Sequence, residues 1–309
     1  MSIIEEMNLS YKYVVNNSIH VNINYTAVDK MIKIIKNSNV KYWLETNPFG
    51  VLDMELEDII NFLLIYHTIG DYCFWGEPKW EIETEYGKLD GSYAIMNLII
   101  NRYKENQNFD MSYEEFKSLL KGNVEIPLLE NRYNNLAEMN RFLKKSQTDF
   151  FKMIKDMYDD VQLFTFIVES FPYFQDESEY DGHKVYFYKR AQLLTSDILH
   201  VIAIKKGIKT DYSHLIGCAD YKIPKVMRCY NMLEFDKYLE NKIDSKEEIK
   251  ENSKAEIEIR ACDLEVINYI YEKLERKYPK MDINDYIWLL GQDKSKMTKL
   301  YHRTLTSHY

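Results

Sequence analysis

The sequence predicts a mainly α-helical protein, folded as a single helical domain over residues 1–309 with a small β-hairpin element. Glycine (10 residues) and proline (6) are scarce, whereas turn-dense sandwiches and barrels use more of both. Hydrophobic residues make up 46% of the 309 positions, which is enough to bury a sizeable core. Several long segments also carry apolar residues at helical spacing. Helices are therefore expected to dominate.

The helices can be assigned in chain order. Apolar residues recur at helical spacing in residues 54–66, 93–103, 136–158, 185–205 and 256–278. Ser112 and Glu115 form a capping-box pair, which predicts a further helix that Gly122 ends. Gly207 follows two lysines and is a typical helix stop.

Two segments have the alternating pattern of strands. Residues 74–90 contain alternating polar and apolar side chains, which predicts a strand or short hairpin. A second piece is expected at residues 180–186, around the Asp181-Gly182 turn. Residues 242–254 are charged and are expected to form a solvated loop or helix face.

The charge and the amino terminus exclude several classes. Forty basic and 49 acidic residues give a net charge of −9, which disfavours binding to a nucleic acid polymer. The first residues are acidic, without the basic region of a secretory signal. No apolar run approaches the ~20 residues that span a bilayer. We expect a soluble, cytoplasmic protein that is a monomer and does not contact a membrane.

The common cofactor and metal motifs are missing. The four cysteines are scattered, without the paired spacing of a structural zinc site. The sequence contains no His-Glu-x-x-His, no Gly-x-Gly-x-x-Gly, no phosphate-binding P-loop and no Gly-x-Ser-x-Gly. We expect no cofactor and no metal.

Asp220 is the first candidate for chemistry. It follows five mostly apolar residues and precedes Pro224, which can open a helix. An aspartate here can be an ordinary helix cap or surface turn. Alternatively, it is a desolvated carboxylate that faces a ligand.

Two aromatic clusters and two basic pairs are further candidates. Asp71, Phe74 and Trp75 lie together, and Asp285 and Trp288 repeat the theme. Such rings usually pack in a core, but two polar aromatic clusters also suit a pocket for a flat ring. The basic candidates are Lys189 with Arg190 and His302 with Arg303. They form either solvated basic patches or a local anion site.

Nine short strings occur in order along the sequence: DYCFW (71–75), GSYA (91–94), IPLLENR (126–132), FPYFQD (171–176), FYKRAQ (187–192), ADYKIP (219–224), EIEIRA (256–261), IWLLGQ (287–292) and HRT (302–304). Together they resemble the queuosine salvage protein family, whose members release the base queuine from queuosine 5′-monophosphate. The match runs in order from about residue 71 to 309, and the first seventy residues match loosely.

The resemblance implies a helical fold similar to the helix-hairpin-helix DNA glycosylases and a catalytic aspartate at Asp220. An aromatic residue of the family motif is replaced by Cys218, which puts its ring contact in doubt. The base-contacting Asp-Tyr pair of relatives falls on Asn284 and Asp285 by counting from the tryptophan. By residue type it falls on Asp285 and Tyr286.

The sequence departs from the family motifs at two further places. Gln175 stands where relatives often carry arginine, so a salt bridge near Asp176 is expected to be weaker. A histidine that relatives use in the amino-terminal part has no assigned counterpart.

The resulting hypothesis is an N-glycosidase in which Asp220 stabilises or captures the ribose cation. Asp71 or Asp285 would read the base, and Phe74, Trp75 and Trp288 would flank it. The basic residues Lys189, Arg190, His302 and Arg303 would hold the 5′-phosphate. One alternative is a queuine- or queuosine-binding protein without turnover. A glycosylase on polymeric nucleic acid is the other and is opposed by the charge.

Overall fold

The computed structural model describes residues 2–309, and it is mainly helical, as the sequence predicted. Thirteen α-helices lie within this range: α1 (Ile3–Asn17), α2 (Tyr25–Lys36), α3 (Leu56–Ile69), α4 (Gly91–Glu105), α5 (Tyr113–Leu119), α6 (Leu129–Ser146), α7 (Phe150–Ile154), α8 (Asp160–Ser170), α9 (Lys189–Lys206), α10 (Lys222–Cys229), α11 (Lys237–Asp244), α12 (Lys254–Lys273) and α13 (Lys280–Leu290).

Six short strands within residues 2–309 form three antiparallel pairs. These are β1 (Val21–Ile23) with β6 (Leu233–Phe235), β2 (Glu81–Thr84) with β3 (Gly87–Asp90), and β4 (Glu177–Tyr180) with β5 (His183–Tyr186). The β2–β3 and β4–β5 hairpins confirm the two predicted strand segments. The β1–β6 pair was not predicted, because two three-residue strands far apart in the chain leave no periodic signal.

Three of the five predicted long helices correspond to α3, α4 and α12. The predicted capping box at the start of α5 is also confirmed. The Glu115 N–H donates to Ser112 Oγ at 3.3 Å, and the Ser112 N–H donates to Glu115 Oε2 at 2.7 Å. However, α5 ends at Leu119, three residues before Gly122.

Two predicted helix bounds are wrong. The segment 136–158 is not one helix, because Gln147 adopts a left-handed conformation (φ 54°) and ends α6. Asp149 then caps α7 by accepting the Lys152 N–H at 3.0 Å. The helix predicted to start at residue 185 begins at Lys189 instead, because residues 183–186 pair as strand β5.

The chain divides into two compact units. The first unit contains the chain up to Thr46, Asp176–Gln192 and Tyr212–Leu305, and the second contains Asn47–Gln175, Leu193–Asp211 and Thr306–Tyr309. In the first unit, α12 packs against α1, α2, α10 and α13. In the second unit, α3 packs against α4, α6 and α7. Among the helices of residues 2–309, none combines the length and the apolar character needed to cross a bilayer.

Helix α12 is the central helix of the first unit. Fourteen of its 20 residues are buried. Ser253 is its N-cap, and the Ser253 side chain accepts the Glu256 N–H at 3.4 Å. Its residues Arg260, Leu264 and Ile267 contact the segment that carries Asp220.

Candidate active site

Asp220 ends a buried stretch of the first unit, residues 215–220, called here the Asp220 segment. Asp220 is only 7% exposed. Oδ1 accepts the backbone N–H groups of Lys222 and Ile223, both at 2.8 Å, at the start of α10. Oδ2 makes no hydrogen bond to any residue in the range 2–309. Asp220 is therefore a helix cap through one oxygen and has a second oxygen available for another partner.

Some features around Asp220 raise the pKa of its carboxyl group, and others lower it. Burial raises the pKa of the Asp220 carboxyl above its ordinary value. The ammonium of Lys189 opposes this rise, as do the N–H groups and the charge at the start of α10. Lys189 is itself buried, and its ammonium has no hydrogen bond or ion pair within residues 2–309. The carboxyl group of Asp220 and the unpaired ammonium of Lys189 thus occupy the same neighbourhood.

Buried amide side chains from α9 and α13 fix the backbone of the Asp220 segment. Gln192 Oε1 accepts the Ile216 N–H at 2.7 Å, and its Nε2 donates to the Gly217 carbonyl at 2.8 Å. Asn284 Oδ1 accepts the Cys218 N–H at 3.0 Å. Residue 218 is therefore bound through its backbone, a contact that does not depend on the side chain at this position.

Arg260 of α12 provides the third attachment. Its Nε donates to the Ala219 carbonyl at 3.1 Å. Its other two nitrogens bind both oxygens of Asp176, at 2.9 and 2.5 Å. Asp176 also accepts the Lys189 N–H at 3.3 Å. One buried ion pair thus connects the start of α9, which carries Lys189, with the segment that carries Asp220.

Asp176 and its neighbour Gln175, where relatives often carry arginine, contact different groups. Arg260 and Asp176 are both buried, and the two groups form a bidentate pair. Gln175 instead donates to the Val168 carbonyl at 3.3 Å.

Gly217 allows the segment to lie close to α12. Its φ of +116° is in the region that favours glycine. A Cβ at this position would lie 3.3 Å from Leu264 Cδ2 and 3.5 Å from Ile267 Cγ2. A larger residue would push the segment away from the helix.

The three candidate residues on α13 do not all have the same neighbours. Asp285 Oδ2 accepts the Trp43 N–H at 3.4 Å. Trp288 is partly exposed and lies edge-on to Trp43, with 6.2 Å between ring centroids. Tyr286 is buried, and its hydroxyl lies 2.8 Å from Ser38 Oγ. Asp285 and Trp288 therefore share neighbours, whereas the Tyr286 hydroxyl is engaged elsewhere.

The predicted phosphate-binding residues differ in exposure and charge. Lys189, Arg190 and His302 are buried, whereas Arg303 is partly exposed. Burial, together with the charges of Arg260 and Arg228, lowers the pKa of His302 to about 3. His302 is therefore neutral at pH 7 and can contact an anion only as a hydrogen-bond donor.

The second unit contains the other aromatic cluster. Phe74 is buried and stacks on Trp80 at 6.2 Å, which is a core contact. Trp75 is partly exposed. Asp71 is 8% exposed and hydrogen bonds through Oδ2 to Nδ1 of His67.

His67 is a residue that the sequence analysis missed. Its Nε2 lies 2.9 Å from Asp197 Oδ2, so the buried imidazole lies between two carboxyl groups. Burial by itself lowers the pKa of His67, but Asp71 and Asp197 together raise it to about 9. The His67–Asp71 spacing of four residues was a visible signal, whereas Asp197 is 130 residues away. Asp71 is thus paired with a protonated histidine.

Within residues 2–309, no group of three or more histidine, cysteine, aspartate or glutamate side chains is arranged to hold a metal ion.

Comparison with known proteins gives a consistent result. A family model described as queuosine salvage protein matches residues 51–309. A protein of Sphaerobacter thermophilus named queuosine 5′-phosphate N-glycosylase/hydrolase is 30% identical, over 82% of each chain. Proteins of the same name from Mus musculus and Bos taurus are 29% and 26% identical. The alignments cover 97% of both chains for the mouse protein, and 86% of this chain and 84% of the bovine protein.

Proposed function

The chain belongs to the queuosine salvage protein family, and we propose that it hydrolyses the N-glycosidic bond of queuosine 5′-monophosphate, releasing queuine for salvage into tRNA modification. In this reaction the bond between ribose C1′ and the base nitrogen breaks, the oxygen of water bonds to C1′, and one proton of the water ends on the base nitrogen. The products are queuine and ribose 5-phosphate. The names of the relatives support the substrate.

The observation that carries the proposal is the state of Asp220. Bond cleavage develops positive charge on the ribose, and a carboxylate held beside C1′ stabilises that charge. Asp220 is buried, its Oδ1 is held by two N–H groups, and its Oδ2 is not hydrogen bonded within residues 2–309. In this proposal Oδ2 faces C1′, as an electrostatic stabiliser or as a nucleophile.

The departing base requires hydrogen bonds. Queuine is a 7-deazaguanine and lacks the N7 that can be protonated in guanine. Asp285, in the same unit as Asp220, would accept hydrogen bonds from the amino and imino groups of the ring. Phe74 is engaged in a core contact with Trp80, so Trp288, which is partly exposed and lies on α13 in the same unit as Asp220, is the better candidate to flank the ring.

Lys189 is the strongest of the proposed phosphate ligands. The residue is buried and its ammonium lacks a partner within residues 2–309, and an anion would supply one. Arg190 and Arg303 would add positive charge, and the neutral His302 would donate a hydrogen bond.

The direct test is incubation of the purified protein with queuosine 5′-monophosphate, followed by quantification of free queuine by mass spectrometry. We expect release by the wild-type protein and none above background with Asp220→Asn. Binding of queuine without release from the nucleotide would instead identify a binding protein without turnover.

We further propose that the protein acts as one functional domain and as a cytoplasmic monomer on a small molecule. The net charge of −9 supports the exclusion of a nucleic acid polymer as substrate. We also propose that its helical scaffold is related to the helix-hairpin-helix DNA glycosylases. Salt-dependent binding to tRNA or duplex DNA would contradict the choice of substrate.

A further inference from the structure

Asp263 is a buried carboxyl group in α12 without a hydrogen-bond partner. Its side chain is 0% exposed, and neither oxygen is hydrogen bonded within residues 2–309. The other buried charged side chains of α12 differ from it. Glu258 accepts four hydrogen bonds, and Glu256 and Arg260 are also paired. An unpaired buried carboxyl group is costly for folding, so its position requires an explanation.

Asp263 lies on the side of α12 that contacts the Asp220 segment. Arg260 binds the Ala219 carbonyl, and Leu264 and Ile267 lie against Gly217. Residues 260, 263, 264 and 267 follow the spacing that places side chains on one face of a helix. Asp263 is therefore on the face of α12 beneath Asp220.

The charges around Asp263 favour its protonated form. Burial raises the pKa of Asp263 well above its ordinary value, and the negative charge of Asp220 raises it further. Arg260, on the same helix, acts in the opposite direction. Beyond Arg260 lie the carboxylates of Asp176 and Glu256, which occupy that guanidinium. These effects favour a neutral Asp263 next to a charged Asp220.

We propose that Asp263 is a positioning residue for Asp220 and fulfils this role as a neutral carboxylic acid. This inference rests on the proposed function of Asp220. While Asp263 is neutral, Arg260 stays on Ala219 and Asp176, and the Asp220 segment stays in place. When Asp263 loses its proton, the new carboxylate competes for Arg260 and repels Asp220. The segment then loosens, and the catalytic geometry is lost at alkaline pH.

The first test measures the proton on Asp263 directly. Infrared spectra of the wild-type protein at neutral pH should contain the carbonyl band of a protonated carboxylic acid, and Asp263→Asn should remove it. Glu272→Gln, which changes an exposed carboxylate of the same helix, is the matched control and should leave the band. Absence of an Asp263-dependent band would overturn the proposal.

The second test measures the coupling to Asp220. In the Asp220→Asn protein the negative charge beside Asp263 is removed, so the Asp263 band should titrate at lower pH than in the wild type. Equal titration in both proteins would mean that Asp263 is a structural acid that does not sense Asp220. This result does not depend on activity, so it is separable from a failure of the proposed hydrolysis.

The third test is the pH profile of kcat/KM for queuosine 5′-monophosphate. The wild type should lose activity above the pKa of Asp263, by about tenfold for each pH unit. Asp263→Asn and Asp263→Ser cannot ionise and should lack this alkaline fall, whatever their absolute rates. An unchanged alkaline limb in a folded variant would contradict the positioning role.

Discussion

Replacement of Asp220 separates its two roles, because each oxygen has a different one. Asp220→Asn keeps Oδ1, which caps α10 with two hydrogen bonds of 2.8 Å, but removes the charge. Asp220→Ala removes both. Loss of a helix cap costs about 1 kcal/mol, which in a chain of 309 residues corresponds to ~1.5 °C in Tm at about 2.1 cal/mol/K of unfolding entropy per residue. Loss of one preorganised electrostatic contact to a transition state costs ~2.7–4 kcal/mol, a factor of ~10²–10³ in rate.

We therefore expect both variants to lose queuine release by at least ~10²-fold, with only Asp220→Ala losing stability. The assay is a time course of queuine formation by mass spectrometry, combined with thermal unfolding followed by circular dichroism. A fall in Tm for Asp220→Asn as large as that for Asp220→Ala would refute the assignment of capping to Oδ1 and of the catalytic charge to Oδ2. Wild-type release by Asp220→Asn would refute the catalytic role of the charge.

Three further outcomes are expected. Lys189→Met removes an ammonium that would bind phosphate, so kcat/KM should fall by ~10–100-fold for the monophosphate and much less for the nucleoside; steady-state kinetics on both substrates provide the comparison. Asn284→Ala leaves the Cys218 N–H without its acceptor and should cost ~1–3 kcal/mol in urea unfolding, with Tyr286→Phe as a neighbouring control on α13. The raised pKa of His67 stabilises the fold fully below the unfolded value of about 6.5, and this contribution is lost as the pH rises through about 9. Unfolding free energies measured against pH should show the loss in the wild type and not in His67→Gln.

Much of the fold was predictable from local pattern. Helices α3, α4 and α12 are long and periodic, so a short window of sequence contains their signal. The errors came from local chemistry that periodicity does not detect. Apolar spacing continues through residues 147–149, although a left-handed Gln147 and the cap at Asp149 divide the predicted helix there.

The candidate site was only partly predictable, since its partners are distant in sequence. Asp220 is conspicuous because it interrupts an apolar run. Asp263 follows several charged residues of α12 and looks like an ordinary solvent-exposed position. Only the packing of α12 against the Asp220 segment shows it to be buried and unpaired. His67 was missed for a related reason, because one of its two carboxyl partners comes from α9.

The sequence analysis treated a helix cap and a functional carboxylate as alternatives for Asp220, but the structure makes them compatible. Two N–H groups on Oδ1 orient the carboxyl group and favour its charged form. Burial limits the solvent that would otherwise screen the charge on Oδ2. A surface cap would be oriented but screened, and a buried carboxyl without N–H donors would tend to be neutral, the direction in which burial moves the pKa of Asp263. The cap is therefore the means by which a desolvated aspartate can remain an anion directed at a substrate.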